Sequence, residues 1–179
     1  MRLNTDRIFL KRLSMDELNG NYVFWLNDPE VCRYNSHGEQ KYTRQMAKKF
    51  IGSLQGDTTK EVWAVYLKKT DLHIGNISLQ RIDFKNKNAE IAYLFGEKQC
   101  WGKGYAKEAS RVLLKRAFED LRLHRVYFGT NINNIAMQKL GKSLGFKKEG
   151  VLQDAQLKNG VFNHIVIFGL LMKSLGEGS

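Results

Sequence analysis

Hydrophobic and polar positions alternate with two different periods along this chain, and the two periods interleave from end to end. Residues 7–13, RIFLKRL, read as a first strand. Ser14 and Glu17 then make an S-x-x-E capping box. The helix behind it carries Leu18, Tyr22, Trp25 and Leu26 at helical spacing. Asn27-Asp28-Pro29 ends that helix, because the residue before a proline avoids helical backbone. A short turn or helix, PEVCRY, follows. Thr43 caps the next helix, whose Ala47, Phe50, Ile51 and Leu54 line one face.

Three strands in series come next: 61–67, 72–82 and 88–95, separated by polar turns. This pattern predicts an antiparallel meander. A glycine-containing stretch follows directly, and then an amphipathic helix over 105–121 with Ala106, Ala109, Leu113 and Ala117 inward. Residues 124–130 read as a strand. Residues 134–144 read as a helix with Gly145 as its C-cap. Asn159-Gly160 sits between two apolar runs and signals a two-residue hairpin. The predicted class is α+β: a mixed, mostly antiparallel central sheet with a strand–helix–strand unit at its centre and helices around it. No linker or repeat divides the chain, so residues 1–179 are expected to form a single domain.

Composition narrows the choice. Hydrophobic residues make up 42% of the chain and charged residues 26%. No apolar run approaches the ~20 residues of a membrane span, and the basic N-terminus lacks the apolar core of a signal peptide. Cys32 and Cys100 form neither a disulfide framework nor a metal-ligand cluster, so no metal is expected and a cytoplasmic home is the simplest. The net charge of +11 favours an anionic partner. The basic residues are dispersed, however, which disfavours nucleic acid.

The stretch 99–106, QCWGKGYA, carries the chemistry. It joins a strand to a helix whose first backbone N–H groups have no intrahelical acceptors. The helix dipole adds partial positive charge there. Gly102 and Gly104 let an anion approach the amides, and Lys103 adds a mobile cation. The third glycine of a dinucleotide-binding loop is missing, since Lys107 stands in its place, and the Walker pattern is absent. A tight strand–helix turn with glycines present only for geometry is the competing reading.

Gln99-Cys100-Trp101-Gly102-Lys103-Gly104-Tyr105-Ala106 resembles the Q/R-x-x-G-x-G/A acyl-CoA loop of the GNAT acetyltransferases. The AEIAYLF strand, Asn134 followed by Leu144-Gly145-Phe146, and WLNDPEV at 25–31 extend the resemblance over nearly the whole chain. They suit the branch of ribosomal-protein alanine N-acetyltransferases. The resemblance implies the GNAT fold, in three α/β layers with a splayed parallel pair formed by 88–95 and 124–130. It further implies acetyl-CoA as co-substrate. The diphosphate would rest on the amides of Trp101 to Ala106, the pantetheine beside the backbone of Leu94 and Phe95, and Asn134 on the CoA arm. Asn134 is equally suited to capping a helix.

The implied reaction is direct attack of a primary amine on the thioester. Glu90 is the best base candidate, because strand alternation puts Glu90, Ala92 and Leu94 on one face. Its plainer reading is a surface glutamate at the start of the strand, paired with a lysine. A backbone amide near Leu94 would receive the oxygen's developing charge. Many relatives carry a tyrosine acid seven residues after the motif asparagine, but Gly141 occupies that place here. A covalent route through Cys100 lacks a neighbouring base.

The acceptor pocket implied by the resemblance includes Trp25, Tyr34 and His37. The N-terminal half has no acidic cluster, which disfavours polyamines. A protein N-terminal amine and a small-molecule amine such as an amino sugar both remain. No membrane partner is expected, and a homodimer is allowed. The alternative from another class is a basic nucleic-acid-binding module on an acetyltransferase scaffold without turnover.

Overall fold

The computed structural model describes residues 1–172. The expected domain boundary at 179 therefore lies outside the described residues. Eight strands form one sheet: β1 (Arg2–Asn4), β2 (Ile8–Arg12), β3 (Glu61–Leu67), β4 (His73–Asp83), β5 (Asn88–Leu94), β6 (Arg125–Asn131), β7 (Lys147–Lys158) and β8 (Val161–Leu171). Their order is β1-β2-β3-β4-β5-β6-β8-β7. All neighbours are antiparallel except β5 and β6, which are parallel. Four α-helices accompany them: α1 (Tyr22–Trp25), α2 (Arg44–Ser53), α3 (Tyr105–Lys115) and α4 (Ile135–Ser143).

The period-two pattern sorts the strands' side chains to two faces. Trp63, Val65, Ile77, Leu79, Ala89 and Ile91 bury one face against Ala109, Leu113 and Phe118 of the α3 segment, with Met137 and Leu140 of α4 beside them. Val62 and Ala64 pack the other face on Leu18, Tyr22, Trp25, Ala47 and Ile51 of the N-terminal helical segments. The second face changes character toward the middle of the sheet. There β4 and β5 present Asn76, Ser78, Gln80, Glu90 and Ala92, which no helix covers in the same way.

Local signals set most element ends. Ser14 and Glu17 form the full capping box, and the Thr43 side chain accepts from the Met46 amide. Asn159 and Gly160 adopt φ of 50° and 74°, the left-handed pair that a two-residue hairpin between β7 and β8 requires. Three expectations need correction. Strand β1 pairs with β2 although its three residues are too few to show a period. The first helix is broken at Gly20 into a 3₁₀ segment, Met15–Asn19, and the short α1. The helix expected over 105–121 is α-helical only to Lys115, and Arg116–Asp120 form a wider π-type turn. That turn carries Arg116, whose Nε donates to Glu61 at 2.6 Å.

Glu61 is 7% exposed and takes charge-assisted bonds from both Arg116 and Arg12. Burial alone would raise its carboxyl, but the two guanidinium groups more than offset this and hold it below the ordinary 4.5. A lowered folded value means that ionised Glu61 stabilises the fold above pH 4.5, and that the contribution is lost as pH falls below it. Glu61→Gln is therefore expected to lower stability by roughly 3 kcal/mol at pH 7. In thermal melts it should also flatten the fall of Tm below pH 4.5. A variant with unchanged acid dependence contradicts this assignment.

Candidate active site

Strands β5 and β6 share only three rungs: Asn88 with Arg125, Ala89 with Val126, and Glu90 with Tyr127. Beyond Glu90 they part. Strand β6 stays with β8 along its whole length, from Arg125–Leu171 to Asn131–Ile165. Strand β5 stays with β4 as far as Leu94, opposite Asn76. The edge of β5 from Ile91 to Leu94 thus faces β6 without ladder partners, and Glu90 stands at the base of the fork. Unpaired main-chain groups inside a sheet need another partner.

The open end of β5 leads into the glycine loop. Gly102 and Gly104 have φ of 72° and 83°, values that a Cβ disfavours. Gly104 is the N-cap of α3, and no side chain caps that helix. A Cβ on Gly102 would meet nothing within 4 Å, so the loop's outer surface is open. Among the described residues, the amides of Gly102, Lys103 and Gly104 donate to no backbone or side-chain acceptor, and those of Tyr105 to Lys107 belong to the unsatisfied first turn of α3. These consecutive donors, bare of Cβ where an anion would approach, fit a diphosphate.

Arg7 holds the loop from below. Its Nη2 lies 2.6 Å from Glu108 Oε2, its Nη1 donates to the Lys103 carbonyl at 3.0 Å, and its guanidinium stacks over Tyr105. Burial would raise the Glu108 carboxyl, but bonds from Thr5 and Arg7 hold it below its usual range. The acidic residue in the first turn is therefore neutralised by a partner rather than left facing an incoming anion.

On the second sheet face a cleft of about 240 Å³ opens beside the fork. Its floor is Asn76, Ser78 and Gln80 of β4 with Ala92 and Leu94 of β5. Its walls include Tyr22, Phe50, Tyr42, His37 and Lys60. His73 orients part of the floor: its Nε2 lies 2.9 Å from Asn76 Oδ1 and 3.0 Å from the Gly75 carbonyl, so Nε2 carries the hydrogen. The loop that supplies Asn35, Ser36 and His37 is tied down by Lys158, a 9%-exposed residue at the end of β7. The Lys158 ammonium donates to the carbonyls of Cys32 at 2.6 Å, His37 at 2.7 Å and also Asn35.

Glu90 is paired with Arg81 at 3.2 Å, not with a lysine. Burial pushes its carboxyl above the usual range, and Arg81 opposes that shift only in part. His37 is held below its ordinary value by burial and by the nearby Lys158 charge, so it is neutral at pH 7. Trp25, expected in the acceptor pocket, is instead a core residue, 2% exposed and packed on His73. Tyr34 is half-buried outside the cleft's lining. Asn134 caps α4 by accepting from the Met137 amide, which is its plainer role. The Phe95 carbonyl is already taken by the Trp101 indole N–H at 2.8 Å, and Gln99 is exposed in a short turn.

Gly141 explains its own lack of a side chain. A Cβ there would lie 2.4 Å from the Phe128 ring, so a tyrosine acid has no room. Cys100 is nearly buried, and burial and the Glu97 charge raise its thiol, which disfavours the thiolate that a nucleophile needs. Among the described residues no cluster of His, Cys, Asp or Glu stands ready to hold a metal. Arg7, Lys60, Arg81 and Lys158 escaped the sequence reading, because only long-range pairing brings them to the site.

Two structural substitutions test this geometry. Lys158→Met strips three carbonyls of a charged donor and is expected to cost roughly 2–3 kcal/mol. It should also open residues 32–39 to limited proteolysis before the rest of the chain. Gly141→Ala is expected to lower Tm by overpacking against Phe128. Protease resistance at 32–39 in the first variant, or an unchanged Tm in the second, contradicts the packing described.

A family model described as an acetyltransferase (GNAT) domain matches residues 7–147. Over 175 residues the chain is 31% identical to p20, an uncharacterized N-acetyltransferase of Bacillus licheniformis, and the match covers 96% of each chain. Over 99 residues it is 35% identical to YdaF of Bacillus subtilis, a putative ribosomal N-acetyltransferase, covering 55% of this chain and 54% of that one. The spermidine N-acetyltransferase of Vibrio cholerae, solved with CoA and spermine, superposes with a TM-score of 0.85. That match covers 93% of this chain and 96% of the other at 20% identity, which is a likeness of fold. The open strand fork, the bare loop amides and these relationships converge: the chain belongs to the GNAT family of acetyltransferases.

Proposed function

We propose that the protein moves an acetyl group from acetyl-CoA to a primary amine by direct attack, the acceptor being a protein N-terminal amine or a small-molecule amine such as an amino sugar. One observation carries the reading. The β5–β6 fork opens at Glu90, and its β5 side runs straight into the uncapped loop amides. A thioester carrier with a diphosphate needs both: main-chain groups for its amide-bearing arm and bare N–H groups for its anionic end. The family's use of acetyl-CoA supports the same assignment.

In this reading the loop from Trp101 to Ala106 binds the diphosphate, with Lys103 adding charge. Leu94, and the Phe95 backbone apart from its occupied carbonyl, line the arm. The side-chain nitrogen of Asn134 makes no bond within the described residues, so it can serve the arm while the oxygen caps α4. Glu90 receives the amine's proton, directly or through water. Its burial-raised carboxyl is a better proton acceptor than an exposed glutamate, and an α-amine of pKa about 7.7–8.0 asks little of it. An amide of the parted strand near Leu94 stabilises the charge that develops on the thioester oxygen. Gly141 leaves the thiolate without a tyrosine acid, which a thiol of pKa about 8.5 tolerates. Among the acceptor residues expected from the sequence, His37 is the one that reaches the cleft.

Thiol release from acetyl-CoA across peptides with free N-termini, amino sugars, polyamines and aminoglycosides tests the activity. Turnover with at least one amine and a rise in Tm with acetyl-CoA are expected. Absence of both would falsify the reading. Gly104→Ala should weaken CoA binding by about tenfold or more, with a backbone strain of roughly 1–2 kcal/mol. Retained affinity removes the loop assignment. Glu90→Gln should lower turnover most at low pH, where the amine is hardest to deprotonate. Because a raised carboxyl favours the fold only while protonated, ionised Glu90 costs stability once pH exceeds its folded value. The same variant is thus expected to gain Tm at pH 8 and not at pH 4. An unchanged pH–rate profile removes Glu90 as the base.

A further inference from the structure

The acceptor cleft has an electrostatic character that the proposed activity does not by itself require. Among the described residues its lining includes no carboxylate, and its one lysine is Lys60. The Lys60 ammonium lies 5.6 Å from the centre of the Phe50 ring and makes no hydrogen bond or ion pair among the described residues. The carboxylates in reach are committed elsewhere. Asp57 accepts from the Thr59 amide at 2.8 Å and its hydroxyl at 2.7 Å; it also feels the Lys60 charge, but makes no ion pair with it within 4 Å. Glu61 is held by Arg12 and Arg116. Glu90 is held by Arg81. A cation that holds no ion pair at the wall of a cleft is a reader of negative charge on whatever enters it.

Strand register places this cation relative to the base. Glu61 pairs with Leu79, and the Ile82 amide donates to the Thr59 carbonyl at 2.9 Å, so the β3–β4 ladder continues past Lys60 around a bulge. The residue at the bulge is Arg81, with φ of 52°. Lys60 therefore lies opposite the Gln80–Arg81 step, and Gln80 pairs in turn with Glu90. Lys60, Gln80 and Glu90 form a row across three adjacent strands, on the cleft face. Two interstrand spacings separate the ends of the row, about 10 Å between backbones. Lys60 and Gln80 line the cleft, and Glu90 stands just beyond its lining on the same sheet face, paired with Gln80. An amine at Glu90 and an anion at Lys60 would then belong to one molecule that spans this row. Arg81, largely exposed beside Glu90, adds a second positive charge on that side.

We infer that the acceptor is a primary amine carrying a carboxylate or phosphate a few bonds away, with Lys60 as the residue that selects it. This inference rests on the acetyl-transfer reading above and narrows it. Polyamines are disfavoured on the same ground: an additional ammonium inside the cleft would face Lys60, and the described lining of the cleft holds no carboxylate to receive it. Beyond Lys60 and Val62 a second groove of about 370 Å³ continues between Arg12 and the Leu54–Asp57 segment. The remainder of a larger acceptor leaves the cleft by that path.

The test compares matched acceptors in the thiol-release assay. One arm uses peptides with free N-termini and either Asp or Lys at the second and third positions. The other uses glucosamine 6-phosphate against glucosamine, with spermidine as the cationic control. The wild-type protein is expected to favour the anionic member of at least one pair by about tenfold in kcat/KM, and that arm identifies the source of the anion. Lys60→Glu should erase or invert the preference while leaving acetyl-CoA affinity unchanged, and Lys60→Gln serves if the first variant fails to fold. Equal rates within both pairs, spermidine as the best acceptor, or a preference untouched by either substitution overturns the inference while the transferase reading stands. If no amine at all releases thiol, the transferase reading fails first and this inference fails with it.

Discussion

A strand can satisfy its backbone on two sides only, and β6 gives one of its sides entirely to β8. Its other side holds β5 for three rungs and then lets go at Glu90. That limited pairing is the constraint on which the site depends. It leaves a gap in the middle of an otherwise continuous sheet and puts a half-buried carboxylate at the bottom of it. It also aims the free edge of β5 at the first turn of α3. The surrounding sheet can carry the gap because both of its flanks are fully paired and packed, on the α3 side above all.

Two ion-mediated ties keep the flexible parts of the site in place. Arg7 and Glu108 connect the start of β2 to the first turn of α3, about one hundred positions away in the chain, and Arg7 reaches the carbonyl of Lys103 from there. Lys158 does the same for the loop after α1, donating to the carbonyls of Cys32, Asn35 and His37. In both cases a long basic side chain fixes the backbone of a loop far away in the sequence. Part of the chain's excess of basic residues is thus structural, and Lys60 stands out because it lines the cleft without an ion pair.

Elements with a strong local signature were legible in the sequence: the capping box at Ser14, the cap at Thr43, the three-strand meander, the Asn159-Gly160 turn and the uncapped glycine loop. The misses share a physical cause. Strand β1 is too short to show a period, and it exists because β2 offers an edge. The wide turn at Arg116 and the break at Gly20 answer to tertiary partners, Glu61 in the first case. Trp25 looked like a pocket residue because aromatic chemistry alone does not distinguish core from cleft. Gly141 was visible as a departure from the tyrosine pattern, but its reason, the Phe128 ring against it, belongs to packing. The cations around the cleft were invisible for the same reason, since lysines and arginines scattered in sequence are gathered only by the register of β3, β4 and β5.

The central claim is that the parted edge of β5 and the bare loop amides bind one ligand together. Amide hydrogen exchange with and without coenzyme A measures both at once. The account predicts slowed exchange in two separate stretches, 91–95 and 102–107, with little change in β7 and β8. Protection confined to one stretch, or to neither at saturating ligand, would contradict it.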